Sequence, residues 1–507
     1  MLRVDRTDCS QTIQYRPQRP PGLLHSIVPD SGKSVTAADR KLILVLPAHE
    51  SSPDLCKVVA SAVALGYPAP IIINWQDDPN AGGQSHLKKV SGMVDFLQWA
   101  TTDSDDESDR LNEQDLVLMM DAHDVWLQLP PNVLLRRYLE INEQANARIR
   151  AEHGLVDNNM MEQTIVVSAQ KGCIAPRNIM SDLNCQSVPE STLPDDVYGT
   201  FTDSRFTKIA YNRPRYLNSG SFLGPAGDML RYFKRVEERM NQHLAAVDSW
   251  RDLDGDQGLF AEIFGEQKVW RQKVARQGWL STEVTQEMTL LAWNHYEYHV
   301  GLDYEQQLSY PTCHSENGGT FVNLEDLDFV AAESFRAGVD PVRIQGLPED
   351  MLEAPKPFAD LPSSEDQELG WGEVPLFADF WTAAIPVAIH HNAYKKGLKG
   401  RMKTWWDRTW FFPHLRELIA SRLTADSGTA LLSMPLGDRS WHVMAYKSAR
   451  SLAPTWIFGT GNETGVWELR TADWSAICPS RNATAERDLP WHEEVFRDGR
   501  GAFSDVM

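Results

Sequence analysis

The chain is short of positive charge: 49 lysines and arginines stand against 70 aspartates and glutamates in 507 residues, a net charge of −21 at neutral pH. That balance disfavours a nucleic-acid backbone or an anionic membrane surface as partner, because either would meet repulsion over most of the protein. An anionic nucleotide stays compatible where a local cation or a metal receives it. Cysteines are few and scattered at Cys9, Cys56, Cys173, Cys185, Cys313 and Cys478, with no C-x-x-C pair, which argues against a zinc ribbon or a thioredoxin-type motif. Cys173 and Cys185 could close a short loop in a secretory protein, although sequence alone does not pair them. No apolar run approaches the ~20 residues of a membrane-spanning helix. The start, Met1 to Pro21, is polar and proline-containing and lacks the apolar segment of a signal peptide. Internal repeats and long low-complexity tracts are missing too.

What is present is a hydrophobic content of 42 %, enough for a well-buried core, and 17 tryptophans, most of them expected in that core and some suited as plates for sugar rings. Residues 1–38 read as a disordered leader. Lys41 to Pro47 is a buried strand, Pro53 to Ala64 a helix with Leu55, Val58, Val59 and Val63 on one face, and Pro70 to Trp75 a second strand. Strand, helix, strand opens a parallel, doubly wound α/β unit. Further helices are expected over His86–Ala100, Pro131–Ala151, Asp228–Val247 and Gly258–Phe264, with strands at Thr164–Ser168 and within Tyr211–Gly224. The stretch 320–370, rich in Pro, Asp and Glu, reads as an irregular insertion, and 425–507 as a small β-rich appendage. This tail carries N-x-S/T acceptors at Asn462 and Asn482, compatible with a lumenal location.

The most informative segment is Met119-Met120-Asp121-Ala122-His123-Asp124-Val125-Trp126, where an apolar strand runs out into two acids. Carboxylates at the carboxyl end of a strand sit at the rim where open α/β sheets bind ligands. A D-x-x-D pair there can hold a hard divalent cation, and such a cation commonly bridges nucleotide phosphates. The plain alternative is a pair of surface aspartates capping a turn. Four other segments give the pair a context. Tyr216 to Gly224 places Asn218, Ser219, Gly220 and Ser221 between apolar clusters, a loop that lets a backbone approach a ligand or else an ordinary hairpin turn. Asp254, Asp256 and Gln257 precede a helix, where capping is the default role. His390 and His391 end an apolar run and are followed by Asn392, Lys395 and Lys396; such a histidine can complete a carboxylate-rich metal shell or lie on a polar surface. Trp75 to Gly83 offers an aromatic plate and flexible glycines.

In order and content these segments resemble the glycosyltransferase domain of the multifunctional lysyl hydroxylases, the procollagen glucosyl- and galactosyltransferase type, over about residues 40 to 400. The D-x-x-D of that family matches Asp121 to Asp124, and its Y-L-N-S-G-G-F-I-G segment matches Tyr216 to Gly224. Its acidic run before Q-L-F matches Asp254 to Phe260, its V-H-G-N-G-P-T-K segment matches Ile389 to Lys396, and its W-x-G-G loop with a lysine-bearing helix matches Trp75 to Gly83 and Lys88-Lys89. This chain departs from the pattern at His123, where the family has an aromatic, at Gly255 inside the acidic run, at Ser221 and at His391. No iron-dioxygenase pattern follows, so collagen is not implied as acceptor.

The resemblance implies a GT-A-like α/β fold, a mixed sheet flanked by helices, spanning 39–424. It implies a glycosyltransferase that uses Mn2+ or another divalent cation and moves glucose or galactose from a UDP-sugar to a hydroxyl of a glycan or protein. In this reading Asp121, Asp124 and His390 hold the metal. Trp75, His123, Asn218, Ser219, Gly220, Asn392 and Lys396 contact the donor, and Asp256, with Asp254 as rival, serves the transfer. The family places such an enzyme in the secretory pathway, Golgi or ER lumen, with the cytoplasm as the alternative in view of the missing signal. Rival functions are a catalytically inactive carbohydrate-binding or scaffold protein of the same fold, and a metal-dependent phosphohydrolase, which commonly needs a second metal cluster that the sequence does not supply.

Overall fold

The computed structural model of the chain describes residues 36–76, 85–153, 161–174, 181–206, 208–253, 255–277, 295–361, 364–393, 395–424, 430–436, 439–447, 453–461, 465–478 and 489–503. Its centre is a ten-stranded mixed sheet. In chain order the strands are β1 (Thr36–Pro47), β2 (Ile71–Ile73), β3 (Leu116–Met120), β4 (Ile165–Gln170), β5 (Tyr216–Pro225), β6 (Val300–Asp303), β7 (Leu432–Leu436), β8 (Arg439–Ala445), β9 (Thr455–Thr460) and β10 (Trp467–Ala472). The spatial order is β10-β9-β2-β1-β3-β5-β4-β6, with the β7–β8 hairpin joined to the amino-terminal half of β1. β1 runs parallel to β2, β3 and β8, while β5 is antiparallel to both neighbours, β3 and β4.

Helices cover both faces of this sheet, and the alternation of side chains along a strand explains why. Leu42, Leu44 and Leu46 of β1 share one core with α1 (Pro53–Ala64) and α3 (Pro131–His153), while Ile43 and Val45 belong to the other, with α2 (Ser85–Gln98), α4 (Ala226–Ala246) and α5 (Gln257–Gln277). β3 repeats the pattern, with Leu116, Leu118 and Met120 on the first side and Val117 and Met119 on the second. Helix α1 starts where the sequence says it should: Pro53 occupies its first turn and the Ser52 hydroxyl accepts the Leu55 amide at 3.0 Å. The mixed α/β architecture with flanking helices is the one expected from the sequence.

Several boundaries differ from that reading. β1 begins at Thr36, and the remainder of the expected leader lies outside the described residues. The C-terminal region is β-rich, but its strands are not a separate body: β8 pairs with β1 and β9 with β2, both in parallel. A disulfide between Cys56 in α1 and Cys478 ties the same region down, and a second one joins Cys173 to Cys185. Residues 320–370 are no irregular excursion. They include the helix Leu327–Arg336 and place Val322, Leu324, Val330, Met351 and Phe358 in the core that holds α1 and α3. Their apolar residues are spaced by turns rather than by a helical or strand period, so periodicity overlooks them. The two acceptor asparagines, Asn462 and Asn482, lie outside the described residues.

Candidate metal centre

The site grows from the carboxyl end of β3 and a small sheet beside it. Val125–Leu127, to which the sequence reading assigns no element, forms a strand antiparallel to Ala388–His390, which in turn runs parallel to Ser309–Pro311. Pairing of His390 with Val125 carries the imidazole next to Asp124, 266 positions earlier in the chain. Asp121, one residue past β3, is fixed by its own amide, which donates to the Gly220 carbonyl at 2.9 Å. Asp121, Asp124 and His390 each offer a ligand atom, and these atoms lie within 4.8 Å of one another. His390 Nε2 stands 3.3 Å from Asp124 Oδ1 and 3.7 Å from Asp121 Oδ2.

The tautomer of His390 follows from its neighbour. Asn218 Nδ2 donates to Gln170 Oε1 at 2.9 Å, so its carbonyl oxygen faces His390 Nδ1 at 3.0 Å and accepts that hydrogen. Nε2 is then the nitrogen that faces the two carboxylates and the one positioned to ligate a cation between them. A carbonyl holding the far nitrogen of an imidazole is also how metal-bound histidines are usually oriented. Gly220 belongs to the same device. A Cβ at this position would lie 2.2 Å from His390 Cε1, so only glycine lets the ring lie flat on β5. The segment around it is not a loop, as expected from sequence, but strand, with a register shift opposite Val167/Ser168. Its small polar residues look loop-like because their groups are used inside the site rather than in solvent. These donors suit a divalent cation of the oxygen- and imidazole-binding kind such as Mn2+.

Alternation along the strand end turns His391 the other way. Its ring packs 4.1 Å from Trp126 and 6.0 Å from Trp405, centroid to centroid, and burial drives its pKa down to about 3 against the pull of Asp124. Both of its nitrogens are without a hydrogen-bond partner among the described residues.

Two lysines complete the charge balance. Lys89, on α2 and only 3 % exposed, lies 3.0 Å from Asp121 Oδ1 and 2.7 Å from Asp256 Oδ2, and donates to the Ser219 carbonyl at 2.9 Å. Burial works to depress its pKa, but Asp121 and Asp256 outweigh it and raise it, so the ammonium is firmly charged. Lys399 reaches Asp124 Oδ2 at 2.8 Å. Burial alone would push the Asp124 carboxyl up, yet His390 and Lys399 hold it far below the usual carboxylate range. Asp256 stands at the start of α5, where its carbonyl receives the Leu259 amide at 3.0 Å; its carboxylate does not cap the helix but faces Lys89. Asp256 Oδ2 is held by the Lys89 ammonium, while the adjacent Gln257 Nε2 is buried and has no hydrogen-bond partner among the described residues. A group of that kind is ready to receive a ligand.

The structure thus brings together Asp121, Asp124, His390, Asn218, Ser219, Gly220 and Asp256. Other residues singled out from sequence lie differently. His123 Nδ1 is 2.9 Å from the Ser52 hydroxyl, and burial, opposed by Asp124, lowers its pKa. Asn392 is not free to orient a sugar through its carbonyl, which accepts the Cys313 amide at 2.9 Å. Trp75 is half-buried against the core beside α1. Asp254 and the Lys396 side chain lie outside the described residues, as do Asp77 to Gln84. Sequence reasoning had no role for Lys399, Gln170 or Ser52, and it met Lys89 only through the family resemblance. A lysine in an otherwise apolar stripe of α2, beside Val90, Met93 and Val94, was the one available signal for Lys89.

Comparison with protein-family models and with curated proteins finds no match for this chain.

Proposed function

We propose that this protein is a divalent-metal-dependent glycosyltransferase of GT-A type that moves a hexose, glucose or galactose, from a UDP-sugar to a hydroxyl on a glycan or protein. The observation that carries the reading is the meeting of Asp121, Asp124 and His390 between the carboxyl end of β3 and the small sheet beside it, with Lys89 beside Asp121 and Asp256. Asp121, Asp124 and His390 would hold Mn2+, and the ion would act as a Lewis acid for the departing diphosphate. Asn218 keeps His390 in the ligating tautomer. Lys89 and Lys399 bring positive charge to a rim where an anionic donor has to settle on a protein that is acidic overall. The unpartnered Gln257 amide, with Asp256 beside it, would hold the sugar in place for the acceptor hydroxyl. Two disulfides agree with a secretory-pathway location.

One observation favours a second reading, a carbohydrate-binding protein of the same fold without turnover: Asp121, Asp124 and Asp256 already have lysine counter-charges. Purified protein incubated with Mn2+ and UDP-hexoses separates the two by release of UDP. Calorimetry with UDP tests the metal itself: Asp121→Ala and Asp124→Ala should abolish binding in protein that still unfolds cooperatively. Equal UDP affinity in EDTA would refute the metal-dependent reading.

A further inference from the structure

Arg205, Phe206, Lys208, Ile209 and Tyr211 bring large apolar side chains and cations together in one exposed stretch of chain. Phe206 is 99 % exposed, Ile209 44 % and Tyr211 37 %, and Arg205 and Lys208 in the same stretch are exposed and without an ion pair among the described residues. Large apolar side chains in water are a cost with no folding return, and clustered with cations they mark an interaction site. In a chain with a net charge of −21, two exposed cations three positions apart and without an ion pair among the described residues are out of place for solubility alone.

The segment is held firmly from beneath. The Lys171 ammonium donates to the Ala210 carbonyl at 2.7 Å and lies 3.9 Å from the centre of the Tyr198 ring. Trp381 packs against Tyr198 at 5.6 Å and stands perpendicular to Tyr211 at 6.4 Å. Arg213 clamps the chain through Asp203 and the Leu193 carbonyl. The connection to the metal centre is short. Lys171 directly follows Gln170, whose side chain holds Asn218, and Asn218 holds His390. Gly172 packs against His314 and Ile209, while the neighbouring Cys313 amide is bound by Asn392, two residues from His390.

We propose that the face formed by Arg205, Phe206, Lys208, Ile209 and Tyr211, with Trp381 at its edge, binds an anionic polysaccharide, uronic-acid-bearing, as the acceptor. This rests on the glycosyltransferase reading, which leaves the acceptor open. The rings offer flat apolar surfaces for pyranose faces, and Arg205 and Lys208 match carboxylates spaced along a chain, the guanidinium through paired hydrogen bonds. The link through Lys171 and Gln170 to Asn218 favours an acceptor over an unrelated partner as the occupant.

The test uses the full-length protein and an alginate hexasaccharide as probe, followed by calorimetry without nucleotide, so that acceptor binding is read independently of transfer. The hexasaccharide should bind, and neutral maltohexaose should bind at least about tenfold more weakly, the loss expected when charge-assisted hydrogen bonds are missing. Arg205→Glu combined with Lys208→Glu should weaken alginate binding at least about tenfold, as should Phe206→Ser combined with Tyr211→Ser, with UDP affinity in Mn2+ unchanged. Unchanged alginate binding by either double variant overturns the proposal. So does equal or tighter binding of a hexaglutamate peptide or of phosphatidylserine vesicles, which would assign the face to an acidic protein or a lipid surface. Failure of the donor reading shows separately, as missing UDP binding in the unmodified protein.

Discussion

Gly220→Ala tests the site through one methyl group. Its Cβ would lie 2.2 Å from His390 Cε1 and 2.5 Å from Nδ1. Ordinary van der Waals contact starts near 3.4 Å, so the imidazole has to retreat by roughly 1 Å. It cannot do so without lengthening its 3.0 Å bond to Asn218 or leaving its place 3.3 Å from Asp124. Overpacking of this kind costs about 1–3 kcal/mol, a fall of a few degrees in melting temperature for a large domain. Displacing a candidate ligand should weaken Mn2+ binding by more than the ~10–100-fold typical of losing a ligand's supporting contact. Thermal melts and calorimetric Mn2+ titration read the two effects. The decisive arm is the double variant with His390→Ala: with the ring gone the added methyl has nothing to strike, and its stability cost should vanish. Wild-type Mn2+ affinity in Gly220→Ala, or an equal cost with and without His390, would refute the geometry.

Lys89→Met should destabilise the protein by about 3–5 kcal/mol in urea unfolding, because it strands Asp121 and Asp256 without a buried counter-charge, and adding Asp256→Asn should return part of that loss. A cost below ~1 kcal/mol would mean that the lysine is not needed in the unliganded protein. Asp303 titrates in the opposite sense to most carboxylates: burial raises its pKa from 3.8 to about 6 although the Leu308, Gln307 and Ser309 amides pull it down. The folded state therefore holds the proton more tightly, so the contribution of Asp303 to stability is full below pH 3.8 and is lost as pH rises through 6. Relative to Asp303→Asn, the wild type should lose roughly 2 kcal/mol between pH 4.5 and 7 in urea unfolding, and a pH-independent difference would contradict this.

Much of this architecture can be read in the sequence, for reasons tied to particular residues. Leu42 to Leu46 and Leu116 to Met120 are unbroken apolar runs that only a strand buried on both faces accommodates, and the acids directly after the second run mark its rim. Alternation at a strand end lets only one of His390 and His391 face the site, and the family resemblance picks His390. Contacts set by tertiary structure are what the sequence hides. Lys399 meets Asp124 across 275 positions, and Gln170 reaches Asn218 across 48. Asn218 to Ser221 combine glycine with small polar residues, a composition shared by turns and by strands that pack against a ligand-bearing side chain, so local chemistry alone favoured the loop. The strand Val125–Leu127 is three residues long and shows no period at all.

The closure of the chain's end upon its beginning has a consequence for biosynthesis. β1 leaves the ribosome first, but its neighbour β8 begins at Arg439, and the outer neighbour of β2 begins at Thr455. At roughly 5–20 residues per second this delay is on the order of half a minute. Throughout it, two of the most aliphatic strands of the molecule present an open edge, the kind of surface on which nascent chains template one another. The covalent chemistry runs on the same clock. Cys173 and Cys185, 12 positions apart, can join almost at once, whereas Cys56 waits as an open thiol for a partner 422 positions downstream. Custody of one thiol and one strand edge until the residues from Arg439 to Cys478 have emerged is thus a demand that the topology places on folding.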